Sequence, residues 1–586
     1  MPEAAATAGP ELQLDLQQPE QHLVRCRLRF TPRTHRLGFR LPSWTPGSYL
    51  IRDYVRHLDG LEVWQDGRRV ALEGAAPTGW HLQLETLASV EIRYRILATD
   101  LSVRTCHLNG DHGFLALAGV ALQLEGERWN PHGLELLLPP EWQPFVPLEE
   151  AGPMRWQTRD FDQLVDTPLE VGPHPGHAFS VAGVPHRWVS WGGDLPSLDP
   201  AWLRDVEKVC LACCRLMGAT APAAPSYLFV LHLTDQGYGG LEHDRSSVLL
   251  FGRRTLARPE GRRKLLQLVA HEYLHQWNVR RLRPVEITPI DYDRATAIPS
   301  LWFAEGVTSY YDQLLPVAAG IVSESELLED LGADLSRFRL IPGRRVQSLR
   351  QSSEEAWVKL YKQDAYSGDS QISYYLKGAV VALVLDLHLR REQSSLSRVL
   401  QDLWHHFGRW GRGYRERDLI EAFTSHSHDL STLLPEWLES TDDPPVDDHL
   451  ADVGLRLLPE RSDQVSLGWT IAELPGGMTG LRQVRRHGPA EVSGLQVGDE
   501  ILAIDGQRLA APGDLPTMTT LTCKPSPLKP TTDPGVHEVL FCRDGRIRTA
   551  RVTSGEPEIV RWPLESDPEA PRAAIDRRAR WLTLTP

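Results

Sequence analysis

The hydrophobic period of this chain changes twice along its length, and that change constrains the fold more than any single motif. Residues 1 to about 175 alternate apolar and polar side chains in short runs such as HLVRCRLRF, HLQLETL and VEIRYRIL, separated by Pro, Gly and Asp. Short period-two runs bounded by turn residues read as strands. From about 176 to 445 the period is helical, in EGRRKLLQLVAHEYLHQW, SESELLEDLGADLSRF and SYYLKGAVVALVLDLHL. One clear strand, SYLFVLHLT, precedes the first of these helices. Near 450 short strands return. The pattern predicts a multidomain protein: an N-terminal all-β, sandwich-like domain over 1–175 and an α+β domain over 176–320. A helical continuation over 321–449, a β-rich domain over 450–560 and a tail over 561–586 complete it. A length of 586 residues agrees with several domains at roughly 150 residues each. The segment 524–535, KPSPLKPTTDPG, reads as a loop. For the charged stretch after about 556, an ordered strap and a loose tail both remain open.

Composition removes several function classes. A net charge of −14 argues against a nucleic-acid partner. No apolar run reaches the ~18 residues of a membrane helix, and the longest candidate, GAVVALVLDLHL, carries Asp386. The N-terminus shows no basic start followed by an apolar stretch, so the expected location is cytoplasmic, with no membrane partner. Seven cysteines suggest no disulfide framework. Cys210, Cys213 and Cys214 share one helical segment and are expected to be buried apolar side chains rather than a metal site.

The residues that carry chemistry begin at HEYLH, 271–275. Four residues apart on a helix, His271 and His275 lie about 40° apart around the axis and one turn along it, so both imidazoles reach one ion. Glu272 sits on the adjacent surface, where a carboxylate can take a proton from water at the metal. Two nitrogens and one oxygen suit zinc with a position left open. The third ligand is expected on a later helix. SLWFAEGVTSYYDQLL at 300–315 offers Glu305 among aromatic and aliphatic neighbours, where an unpaired carboxylate is costly. Thr308, one turn on, is a weaker candidate for supporting it. The expected cofactor is one Zn²⁺ ion.

HEYLHQWN, LWFAEGVTSYY and the upstream GGLEH together resemble the glycyl aminopeptidase family of gluzincin metallopeptidases. WTPGSYLIRDY at 44–54 and DLSVRTCHLNGDHGF at 100–114 resemble that family's N-terminal β domain, and the C-terminal part resembles a PDZ module. The resemblance implies a thermolysin-like catalytic domain that removes N-terminal residues, often small ones such as Gly or Ala. An aminopeptidase must hold a free α-ammonium, for which a carboxylate on an edge strand is the natural partner. GYGGLEH offers Glu242, with His243 beside it as a weaker candidate. Gly239 and Gly240 allow close approach of a substrate backbone. Similarity to related aminopeptidases implies that Glu242 binds the amine. It also selects Tyr375, ahead of Tyr374, as the donor to the carbonyl oxygen, because Tyr375 stands two residues before Lys377-Gly378.

The gap from His275 to Glu305 is longer than in thermolysin, as the resemblance implies for glycyl aminopeptidases. Within it, Arg280, Arg281 and Arg283 either bind a substrate carboxylate or pair with acids, and the second is favoured. GPAEVSGLQVGDEILAIDGQRL at 488–509 looks like the middle of a PDZ domain, and SLGWT at 466–470 like its carboxylate-binding loop. The expected partners are peptides with a free N-terminus and, at the PDZ-like module, a peptide C-terminus. Two rivals stand beside the aminopeptidase: an endopeptidase of the same fold, and an inactive PDZ-based binding protein.

Overall fold

A computed structural model describes residues 9–474, 477–509 and 535–585. The proline-rich loop expected over 524–535 lies outside these residues, apart from its last position. Strands fill the chain from Glu11 to Gly172 and form three sheets. The largest has eight strands, and its central members alternate as their sequence requires: Leu23–Phe30 and Val90–Leu97 bury every second side chain. Two four-stranded sheets complete the β unit, which therefore holds three sheets where a simple sandwich has two.

The next sheet carries the centre of the molecule. Its strands are Gly176–Val181 (β1), Val184–Trp191 (β2), Tyr227–Thr234 (β3), Tyr238–Glu242 (β4) and Ser246–Gly252 (β5), in spatial order β1-β2-β3-β5-β4. Strand β3 is parallel to both neighbours and is almost wholly buried, which explains the unbroken apolar run in YLFVLHLT. Strand β4 runs antiparallel to β5 and forms the edge. Helix α1, Trp202–Leu216, buries Cys210, Cys213 and Cys214, and each is a free thiol. Helix α2, Gly261–Leu274, carries the histidine motif. It lies against the sheet through Tyr273, whose hydroxyl is 2.9 Å from His186 Nε2 and whose ring meets those of Tyr227 and Phe229. Pro259 falls just before the Glu260 N-cap rather than inside the first turn.

The segment around Glu305 is a π-helical turn, Trp302–Gly306, that runs into α3, Val307–Ala318. Helix α4, Glu324–Leu340, opens with a capping box between Ser323 and Glu326. Helix α5, Tyr374–Arg391, is capped by Ser373. The π turn and α5 cross glycine on glycine. A Cβ at Gly306 would meet Gly378 Cα at 2.5 Å, so neither position admits a larger residue without displacement. That close crossing sets Glu305 and Tyr375, one turn before Gly378, on a common side.

A five-strand path from Trp469–Leu474 to Arg546–Thr553 forms a C-terminal sheet with its own apolar core around Leu481, Ile501 and Val552. The stretch that the sequence left open is an ordered strap. Pro557–Arg561 and Leu564–Ser566 pair with Glu460–Val465 and Leu455–Leu457, and a helix, Arg572–Leu582, follows. Its Trp581 Nε1 donates to Tyr310 on α3 at 2.7 Å. No helix among the described residues is long and apolar enough to cross a membrane.

Candidate active site

Helix α2 ends at Leu274, so His271 lies in its last turn and His275 caps it. Their rings stand edge to face with centroids 4.7 Å apart. Glu305 Oε2 lies 3.4 Å from His271 Nε2 and 3.2 Å from His275 Nε2. Donor atoms around a tetrahedral zinc sit about 3.3 Å apart, so the three residues present a fitting donor set. The other nitrogen of each histidine is tied back. His271 Nδ1 is 2.9 Å from Asp312 Oδ2, and His275 Nδ1 is 2.6 Å from the Asn278 carbonyl. Such contacts orient both Nε2 atoms toward the shared point.

Asp312 escaped sequence reasoning, although it stands two turns beyond Glu305 and seven-residue spacing on a helix is readable. Thr308 serves elsewhere than at the Glu305 carboxylate. Its hydroxyl donates to the Ala304 carbonyl and accepts from Asn278 Nδ2, which fastens the chain after His275 to α3.

Two further carboxylates converge here. Glu272 is buried, and a Cβ at Gly240 would lie 1.9 Å from its Oε1. The edge strand therefore approaches the helix only because Gly240 has no side chain. Glu242, on the same strand, is 3% exposed. Glu242, Glu272 and His275 place ligating atoms within 4.8 Å of one another. Glu242 Oε1 and Glu272 Oε2 have no hydrogen-bond partner among the described residues. Burial pushes the Glu272 carboxyl up to about 7, with Glu242 and Glu305 adding to the rise against the two histidines. Burial also raises Glu305, but His275 and His271 outweigh it and hold that group down to about 2. Burial raises Asp312 to about 6, against the pull of His271.

The other sequence candidates divide. Tyr375 is partly exposed and stacks on His271 with centroids 6.3 Å apart, whereas Tyr374 is fully buried. Both hydroxyls lie 3.2 Å from that of Tyr361. Burial, then Glu305, pushes the Tyr375 phenol well up, so it stays a proton donor. His243, just past the end of β4, has its Nδ1 3.2 Å from Asp166 Oδ1. Arg280 is buried between Asp166 at 2.7 Å and Asp244 at 3.0 Å. Arg281 and Arg283 bond to backbone carbonyls. Only Arg280 of the three thus pairs with acids, and those acids are largely buried rather than on the surface as the sequence suggested.

The β unit also reaches the site. A Cβ at Gly47 (φ +84°) would lie 2.6 Å from either Glu242 oxygen. Tyr49, 1% exposed, packs edge-on against Trp357 and feels the charges of Glu305 and Glu242. Arg104 Nη2 donates to the Gly240 carbonyl at 3.2 Å. WTPGSY carried the family resemblance but no local signal for this contact.

The M61 glycyl aminopeptidase profile matches residues 264–381, the M61 N-terminal domain residues 11–173, and a PDZ domain residues 480–516. An aminopeptidase N family protein from Idiomarina loihiensis superposes with a TM-score of 0.89 at 28% identity, over 98% of this chain and 100% of that one. An M1 zinc metallopeptidase from Deinococcus radiodurans overlaps at TM-score 0.48 and 14% identity, over 75% of this chain and 95% of that one. Legionella pneumophila aminopeptidase A gives 0.46 and 13%, over 96% and 57%. No curated protein sequence matches. Fold and matches define a peptidase hydrolase of the metallo-aminopeptidase class. Within that class, the chain is similar to the M61 glycyl aminopeptidases, with a match to their N-terminal domain ahead of the catalytic match and a PDZ-domain match behind it.

Proposed function

We propose that the protein is a zinc-dependent aminopeptidase that removes single N-terminal residues, preferring small ones such as Gly or Ala, and that His271, His275 and Glu305 hold one zinc ion. The observation that carries this is the convergence of that donor set with two buried carboxylates, Glu272 and Glu242, each with an oxygen left without a partner. Bound there, zinc supplies Lewis acidity toward the scissile carbonyl and the attacking water. Glu272 accepts the proton of that water and returns it to the leaving amine. Tyr375 donates a hydrogen bond to the carbonyl oxygen as charge builds on it. Glu242 pairs with the α-ammonium and so measures one residue from the bond to be cut. The close approach of Gly47 to the Glu242 carboxylate supports a reach of a single residue. The preference for a small side chain rests on the resemblance to glycyl aminopeptidases. At the PDZ domain we place a peptide C-terminus, on the strength of the Ser466–Trp469 turn with Gly468 at φ +72° leading into a strand.

The test is a rate profile over aminoacyl reporters and matched N-acetylated peptides. Free-amine Gly and Ala substrates should be cleaved and acetylated ones spared, and Glu242→Gln should lower kcat/KM by about 10²-fold with zinc content unchanged. Equal cleavage of acetylated peptides would make the enzyme an endopeptidase. A zinc-loaded chain with no turnover on any peptide would leave a binding protein.

A further inference from the structure

A second cluster of metal-type donors lies outside the site described above. Its ligating atoms come from His112, Glu170 and His232, lie within 4.8 Å of one another, and belong to fully buried side chains. Glu170 Oε1 is 2.9 Å from His112 Nδ1, and Glu170 Oε2 is 2.9 Å from His232 Nε2. A third imidazole stands at its edge, with His174 Nε2 3.2 Å from Glu170 Oε1. That ring folds back over Gly172, where a Cβ would lie 2.6 Å from His174 Nδ1.

These residues come from two different units. His112 precedes the strand Gly113–Ala116, and Glu170 sits on the paired strand Pro168–Gly172, both in the N-terminal β unit. His232 belongs to β3, the central strand of the catalytic sheet. Aromatic faces fix the rings: Trp191 stacks on His112 at 4.0 Å, and Phe114 meets His232 edge-on at 5.0 Å.

Charge makes this arrangement unusual. A carboxylate removed from water costs several kcal/mol unless it is compensated. Among the described residues, the ion pairs of Glu170 run to three histidines and to no lysine or arginine. Neutral imidazoles bring hydrogen bonds but no net charge. Loading them with protons would crowd cations, because the His107, His232 and His174 rings lie 5.1, 5.5 and 6.4 Å from that of His112. One protonated imidazole would also offset the carboxylate, whereas a divalent ion offsets it while using every imidazole as a neutral donor. Imidazole and carboxylate are donors that zinc takes, and the two 2.9 Å contacts would open to the about 3.3 Å spacing of a tetrahedral site as the ion enters.

We propose that His112, Glu170 and His232 form a second, closed zinc site, with His174 as the nearest fourth donor, that ties the N-terminal β unit to the catalytic sheet. It adds to the aminopeptidase reading and does not depend on it.

The decisive measurement is metal content of the full-length chain after zinc loading and removal of loose metal. The wild type should hold about two zinc ions, and the His271→Ala/His275→Ala chain about one. In that background, Glu170→Gln/His232→Gln should remove the remaining ion. Cobalt substitution of the His271→Ala/His275→Ala chain should give the visible absorption of a four-coordinate nitrogen and oxygen site. Zinc-free His271→Ala/His275→Ala protein that is still folded by circular dichroism would overturn the proposal. So would retention of its zinc after Glu170→Gln/His232→Gln. Failure of the catalytic-site reading looks different: the wild type and the His271→Ala/His275→Ala chain would then hold the same single ion.

Discussion

The two donor clusters differ in how they are assembled, and the difference separates chemistry from cohesion. At His271, His275 and Glu305, two donors share the end of one helix, and their outer nitrogens are held by Asp312 and the Asn278 carbonyl. The His271 side chain keeps 12% exposure, and Glu272 and Glu242 stand beside the cluster with unpartnered oxygens. At His112, Glu170 and His232, each donor comes from a different segment, every side chain is fully buried, and the outer nitrogens of both histidines have no partner among the described residues. An oriented, partly open donor set with spare carboxylates can admit water and substrate. A sealed set without them can only join the elements that supply it. Closed metal sites contribute to folding, while catalytic ones keep a position open.

Four substitutions test this contrast. The largest effect belongs to Glu272→Gln. It should lower kcat by about 10³-fold with zinc content unchanged at both clusters. Peptide turnover measured beside metal analysis checks it, and near-normal turnover would remove Glu272 from the proton transfer. Tyr375→Phe should cost about 10²-fold in kcat with little change in KM, because its hydroxyl acts as charge develops. The same measurement on Tyr374→Phe should show a small loss, and the reverse order would exchange the two rings. Asp312→Ala should weaken zinc binding at His271 and His275 by about 10-fold to 100-fold. Chelator competition would detect that change, and the ion assigned to the sealed cluster should dissociate as before.

Much of the candidate zinc cluster was legible because it is local. Four-residue spacing placed His271 and His275 together, and an apolar setting singled out Glu305. Asp312 was equally readable by its seven-residue spacing from Glu305, one turn beyond Thr308. The contribution of the β unit was not readable, since nothing around Gly47 or Tyr49 shows that they end beside Glu242.

Periodicity along the chain thus determined the strands, the helices and the pairing of the two histidines, because each depends on neighbours within a few residues. Tertiary structure alone decided that Gly240 would bring the edge strand onto Glu272, that Gly306 and Gly378 would seat Tyr375 beside Glu305, and that His112, Glu170 and His232 would meet. Those outcomes depend on which faces pack together across long stretches of sequence. Local spacing marks a face as apolar or polar, but it does not encode what that face will meet.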